Sequence, residues 1–242
     1  MNPAPFQLDD EPTPSRESLA PLSCCGSLDL RLGCCMDVMK TFPDDHFDLA
    51  IVDPPYGLGQ RIARPNKKLQ KRGRACLLYK NNPFDYAVPP PEYFAELRRV
   101  SRNQIVWGGN YFPLPPHRGF IFWDKVNDLP TMSDGEMAWT SFDKPARKIQ
   151  IRKAGSEPII HPTQKPVRLY NWLLENYATP GQSIIDTHMG SGSIAIACHY
   201  RGMHLTACEI DADYYEAAKA RISRETAQTD LFIHHNIEHS CE

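Results

Sequence analysis

Phe47-Asp48-Leu49-Ala50-Ile51-Val52-Asp53-Pro54-Pro55-Tyr56 is a short apolar run that stops abruptly on a carboxylate and two prolines. Apolar on both alternating faces and closed by turn residues, it reads as a buried strand, and the prolines forbid its continuation. Asp53 therefore stands at the carboxyl end of a central strand. The prolines fix φ and bring no N–H of their own, so the local carbonyls are left facing outward as acceptors. Asp53 and the Pro54 carbonyl can grip an NH2 group, and Tyr56 offers a flat face to the ring that carries it. An exocyclic aromatic amine is a poor nucleophile because its lone pair is delocalised. Holding both of its N–H groups favours a pyramidal nitrogen whose lone pair can attack. Taken alone, these four residues also fit a rigid strand-to-loop turn with a surface tyrosine.

A second signal lies far downstream, where Ser183-Ile184-Ile185 leads into Asp186-Thr187-His188-Met189-Gly190-Ser191-Gly192-Ser193. Glycines after a buried strand let the backbone turn sharply and approach a ligand closely. Glu209 closes the next apolar run, 19 residues after Gly190, a spacing at which a carboxylate reaches ribose hydroxyls in nucleotide-binding crossovers. That spacing alone fits a dinucleotide as well. The missing third glycine and the upstream amine-binding element favour a methyl donor.

Between and around these signals strands alternate with helices. Leu28 to Leu32, Ile105 to Trp107, Gly119 to Trp123, Met137 to Phe142 and His204 to Cys208 read as strands. Met36 to Thr41, Pro91 to Arg99, the stretch from Pro166 to Tyr177, Ile194 to Tyr200 and Ala212 to Ile222 read as helices. The pattern predicts an α/β protein with a wound sheet. Residues 1–23, rich in proline, read as a disordered tail, residues 24–226 as one domain and residues 227–242 as a C-terminal tail.

At this point the residues resemble a family. Asp53-Pro54-Pro55-Tyr56 ahead of the glycine turn, Trp107-Gly108-Gly109-Asn110-Tyr111-Phe112, His161-Pro162-Thr163-Gln164-Lys165-Pro166 and Glu209-Ile210-Asp211 are similar, in this order, to amino-type DNA methyltransferases of the circularly permuted β group. The resemblance covers about residues 27–224. It implies a Rossmann-like, S-adenosylmethionine-dependent methyltransferase fold, circularly permuted, with a mostly parallel sheet and helices on both faces. It implies S-adenosyl-L-methionine as cofactor, held by Asp186, His188, Gly190, Ser191, Gly192 and Glu209, with His161, Thr163 and Lys165 near its amino-acid end. Asp53, Pro54 and Tyr56 become the catalytic group, and Pro55, Trp107, Asn110 and Tyr111 the candidate pocket for a base flipped from double-stranded DNA. Aspartate at the first position resembles adenine-N6 enzymes, whereas serine there is more usual in cytosine-N4 enzymes. Cytosine-N4 and RNA adenine methylation stay open, as does a DNA-binding protein without turnover. Two departures stand out: an imidazole, His188, replaces the usual phenylalanine, and Cys34 replaces an acidic residue after Gly33, leaving Asp37 as a substitute.

Composition bounds the rest. At 242 residues, 41% hydrophobic and 23% charged, the chain suits one globular domain. It shows neither an 18-residue apolar stretch nor a basic-then-apolar start, which predicts a cytoplasmic protein without a membrane span. Its eight cysteines include no Cys-x-x-Cys, and no metal is expected. The net charge of −2 conceals two basic stretches. One, in a loop at 57–84, holds Arg61, Arg64, Lys67, Lys68, Lys71, Arg72, Arg74 and Lys80 and no acid. The other holds Lys144, Arg147, Lys148, Arg152 and Lys153, inside a short recognition segment at 143–160. Both flank the proposed site, where DNA phosphates would be met. A restriction endonuclease is a further conceivable partner.

Overall fold

The computed structural model describes residues 26–58, 87–126, 133–152 and 159–238. The expected N-terminal tail and most of the 57–84 basic loop lie outside these residues. Eight strands form one sheet: β1 Leu28–Leu32, β2 Phe47–Val52, β3 Ser101–Trp107, β4 Phe120–Asp124, β5 Gly135–Thr140, β6 Arg147–Gln150, β7 Ser183–Asp186 and β8 His204–Glu209. Their order is β1-β8-β7-β2-β3-β5-β4-β6. Only β5 runs antiparallel to its neighbours, β3 and β4. The helices are α1 Cys35–Lys40, α2 Pro91–Val100, α3 Val167–Tyr177, α4 Ser193–Arg201 and α5 Ala212–Glu238.

The period of two along β2 explains why both faces of the sheet are covered. Leu49 and Ile51 join a core with Leu169, Leu173 and Leu174 of α3 and most of α4. Ala50 and Val52 join the opposite core with Met39 of α1 and Tyr93, Phe94, Leu97 and Val100 of α2. α2 and α3 bury the stripe their spacing dictates, whereas α4 buries every residue from Ser193 to Cys198. In α2 the buried positions recur at i, i+1, i+4 and i+7, with Pro91 at the first turn, where its missing N–H leaves no bond unmade. α4 ends on Gly202 in the left-handed region (φ 64°), a termination that glycine accepts without strain.

Several expected boundaries shift, and β3 begins at Ser101, four residues ahead of Ile105. β5 starts two residues before Met137 and so takes in Glu136. Arg147–Gln150, inside the expected recognition segment, adds a parallel edge strand to β4. The last helix does not stop near Ile222; α5 continues to Glu238, so residues 227–238 are helical backbone where a tail was expected.

The chain reverses its direction of travel across the sheet between β7 and β2. From β7 it proceeds through α4 to β8 on one side; from β2 it proceeds through α2 to β3 on the other. β2 and β7 pair in parallel, with Ala50 level with Ile185, so their carboxyl ends open into one crevice. In open α/β sheets ligands sit at such a switch point.

Candidate active site

The crevice is a cavity of about 1330 Å³, larger than the roughly 300–1,000 Å³ usual for one small ligand. Asp53, Pro54, Pro55 and Tyr56 line it from β2, and Asn110 and Tyr111 from the turn after β3. His161 to Lys165 line it ahead of α3, His188 to Ser191 after β7, and Glu209 to Tyr214 after β8. The two sequence signals, more than 130 residues apart, therefore face the same space.

At one end, both carboxylate oxygens of Asp53 are engaged. The Tyr56 hydroxyl donates to Oδ1 at 2.5 Å and the Lys165 ammonium to Oδ2. Each oxygen keeps a further acceptor position, since an ionised carboxylate has roughly four. Lys165, expected near the donor, instead bridges Asp53 and Glu136, whose Oε2 lies 3.0 Å from Nζ. Burial opposes the Lys165 charge, but the two carboxylates outweigh it and hold the ammonium above its ordinary pKa. Burial also acts against the Glu136 anion; Lys165 and Lys125 overcome it and bring that carboxyl down to about 2. The Tyr56 phenol is pushed well above its usual range, by burial first and the neighbouring Asp53 charge second, so it stays a donor.

The Tyr56 ring is flanked closely. Tyr111 stacks on it at 4.9 Å between centroids and 13° between planes, while itself 44% exposed. Gly108 adopts φ 69°, and a Cβ there would lie 2.2 Å from the Tyr56 ring, so the glycine is required by both conformation and space. Trp107 departs from its expected place in the base pocket. The alternation of β3 turns it into the core, fully buried and edge-on to Trp123 with Lys165 over its ring at 5.2 Å, and it does not line the cavity.

At the other end backbone amides dominate. Glu209 Oε2 accepts the Gly190 N–H at 2.9 Å, and Oε1 accepts those of Ile210 and Asp211 at 3.0 Å each. Three acceptor positions are filled and one remains for a hydroxyl. Burial raises the Glu209 carboxyl against the lowering effect of these amides. Ile210, 73% exposed, offers an apolar face beside it. Asp186 does not line the cavity; buried behind the turn, it accepts the His188 N–H at 3.0 Å, and desolvation lifts it to about 7. His188 does line the cavity, its Nδ1 2.9 Å from the Thr187 hydroxyl, which lies 2.6 Å from that of Tyr93. Burial lowers its imidazole to about 4, leaving a neutral ring.

The two glycines differ. Gly190 has φ 52°, and a Cβ there would meet the His161 ring at an ordinary 3.6 Å. Gly192 has φ 71°, which itself favours glycine, and a Cβ there would lie 2.7 Å from the end of the Ile222 side chain of α5. Arg221, absent from the sequence reading, is buried on α5 and donates at 2.9 Å to the Ser191 carbonyl and the Ser193 hydroxyl, fixing the turn from behind. Arg221 follows Tyr214 and Ala218 of the buried stripe at i+7 and i+3, and that spacing is the sequence signal for its burial. The hydroxyl of Thr163 lies 3.1 Å from His161 Nδ1, and His161 packs edge-on against Tyr214.

Arg61, Arg64, Lys67, Lys68, Lys71, Arg72 and Arg74 lie outside the described residues, as does Lys153. Arg147 and Lys148 stand on the edge strand β6, with Lys148 paired to Asp124 at 2.9 Å, and Arg152 follows exposed. Lys144 is occupied locally: it donates to the Asn176 carbonyl near the end of α3 and lies over the Tyr177 ring. Asp37 pairs with Lys40 on an exposed face and does not line the cavity.

A nucleoside-type donor fits one half of this cavity on the chain's own chemistry. The half holds a left-handed glycine, a carboxylate with one acceptor position left and an exposed apolar neighbour. Among the described residues no helix is long and apolar enough to cross a membrane.

Comparison with known proteins agrees with this fold. The YubD protein of Escherichia coli (strain K12) is 25% identical over 211 residues, covering 79% of this chain and 88% of its own. The type II methyltransferase M.HpaI of Haemophilus parainfluenzae is 32% identical over 65 residues, 27% of this chain and 21% of its own. In fold, the chain is similar to the M1.HpyAVI–SAM complex, with TM-score 0.54 and 19% identity over 81% of this chain and 98% of that one. It is equally similar to the cytosine-N4-specific PvuII DNA methyltransferase, with TM-score 0.54 and 13% identity over 85% and 93%. The N6/N4 DNA methylase model matches residues 80–220, more than half of the sequence, and the chain belongs to that family of amino DNA methyltransferases.

Proposed function

We propose that the protein transfers a methyl group from S-adenosyl-L-methionine to the N6 amine of an adenine rotated out of double-stranded DNA, with residues 24–226 as the methyltransferase unit. The observation that carries this reading is the shared cavity, with Asp53 and Tyr56 at one end and Gly190 and Glu209 at the other. S-adenosylmethionine supplies a methyl carbon made electrophilic by its sulfonium. Glu209 takes a ribose hydroxyl with its remaining acceptor position. The Gly190–Ser191 backbone and the neutral His188 ring border the donor, and His161 and Thr163 close its amino-acid end.

Asp53 and the Pro54 carbonyl accept the two N–H groups of the adenine amine, and Tyr56 stacks on the base. Their grip turns the nitrogen lone pair toward the methyl carbon; the C–N bond forms as C–S breaks, and that bonding pair stays on sulfur. Asp53 faces the nitrogen while it is positively charged, until one N–H proton leaves to water. Stabilising charge where it develops is the largest contribution such a site can make. Aspartate at position 53 supports adenine over cytosine.

The test is incubation of the full chain with donor labelled in the methyl group and with unmethylated duplex DNA, followed by nucleoside analysis. Label in N6-methyladenine is the expected outcome. Label in N4-methylcytosine alone overturns the base assignment, and salt-sensitive DNA retention without label overturns the activity. Mapping methylated positions in a host genome then reveals the recognition site and whether a restriction endonuclease shares it.

A further inference from the structure

A line of four alternating charges runs from the β4–β5 edge to Asp53. Lys125 Nζ lies 2.7 Å from Glu136 Oε1, Glu136 Oε2 lies 3.0 Å from Lys165 Nζ, and Lys165 bonds Asp53 Oδ2. The Lys165 side chain is only 2% exposed, so water screens little of its charge. Backbone pairing sets the geometry. Glu136 is held opposite Trp123 in the β4–β5 register, and the Lys125 N–H donates to the Asp134 carbonyl at 2.8 Å. Gly135 permits the close approach, since a Cβ there would lie 2.4 Å from the Phe122 ring. Pro166, the N-cap of α3, fixes the chain direction on the other side.

Resting on the reading that Asp53 holds the target amine, we propose that Glu136 is a positioning residue for methyl transfer, acting through Lys165. The ammonium of Lys165 fixes the Asp53 carboxylate in place but also offsets its charge, the charge that stabilises a nitrogen turning cationic during the reaction. Glu136 supplies the cancelling charge and Lys125 balances it in turn. Two cations and two anions sum to zero beside the amine, so Asp53 is held without a net positive field. Lysine and glutamate at these positions also fit a purely structural ion pair, and the double variant separates the two roles.

In the full-length protein, Glu136→Gln leaves one excess positive charge; kcat is expected to fall roughly 10- to 100-fold, with the dissociation constant for S-adenosylmethionine within about threefold of wild type. Lys125→Met combined with Glu136→Gln returns the sum to zero and is expected to turn over at least about fivefold faster than Glu136→Gln alone. A merely structural role makes the double variant no better than the single one, and that result overturns the proposal. So does a Glu136→Gln kcat within about threefold of wild type, or a loss confined to donor binding. Should Glu136→Gln fail to fold, Glu136→Asp decides, because it keeps the charge: turnover within about tenfold of wild type agrees and a larger loss overturns. Asp53→Ala separates this proposal from the reading beneath it. If Asp53→Ala retains full turnover the amine grip itself is wrong; if it is inactive and the double variant brings no recovery, only the role of Glu136 falls.

Discussion

The two ends of the cavity deal with buried carboxylates by opposite means. At the amine end Asp53 and Glu136 are met by lysine side chains, and the lysines outweigh the burial of Glu136. At the donor end Glu209 and Asp186 are met by backbone amides, and burial raises both carboxyls. Side-chain ion pairs can be deleted by one substitution; amides cannot. The amine end is therefore the more fragile to mutation and the donor end the more responsive to pH.

The largest effect expected on this contrast is that of Asp53→Ala. It removes the group facing the developing charge and leaves Lys165 without its nearest anion, so kcat falls by about a thousandfold or more, while donor binding measured by calorimetry changes little. Comparable losses of both would erase the distinction between the ends. Next comes Glu209→Ala, which strips the acceptor from three amides and the hydroxyl position together. Donor affinity should weaken about 30- to 100-fold with DNA retention unchanged.

A third effect is on stability and has a sign. Asp186 titrates at about 7 in the folded chain, well above an ordinary aspartate, so the folded state binds its proton more tightly than the unfolded state. Its contribution is fully present below about pH 4 and is lost as pH rises to about 7. Asp186→Asn removes this loss while its carbonyl still accepts the His188 N–H. Denaturation without donor should show it gaining on wild type by on the order of 1–3 kcal/mol between pH 5 and pH 8. A constant difference across that range contradicts the assignment of the raised group. Smallest is His188→Phe: a neutral imidazole already serves as a wall, so donor affinity should stay within about threefold between pH 6 and pH 8, as read by titration.

The wound sheet and both motif turns were legible because they depend on local chemistry: apolar runs of strand length, prolines that end one, glycines that follow another. The order of elements then gave the permutation, with the amine strand ahead of the donor strand and beside it in space. What escaped depends on tertiary burial. Glu136 directly precedes the strand expected from Met137 and carries no local sign of a role; the β4–β5 register brings it to Lys165. Lys165 is expected near the donor because its segment resembles the family's cofactor-proximal element; its ammonium lies on the cavity wall and bonds Asp53 at the end of β2. Trp107 follows an apolar run and sits beside glycines, which fits a pocket and a core equally until the facing of β3 is known. Arg221 shares the helical stripe of Tyr214 and Ala218, but its residue type is one that burial seldom takes in.

The Tyr56–Tyr111 pair carries a consequence for admission. In this form of the molecule the slot beside Tyr56 is already filled by an aromatic leaf of the protein's own. A visiting base must trade places with it or part the two leaves. An aromatic pair is worth about 0.5–1.5 kcal/mol and a base on an aromatic ring roughly 1–3, so the exchange is nearly even. On the proposed reading, flat-ring affinity admits every nucleobase on similar terms, and discrimination falls to the edge presented to Asp53 and the Pro54 carbonyl.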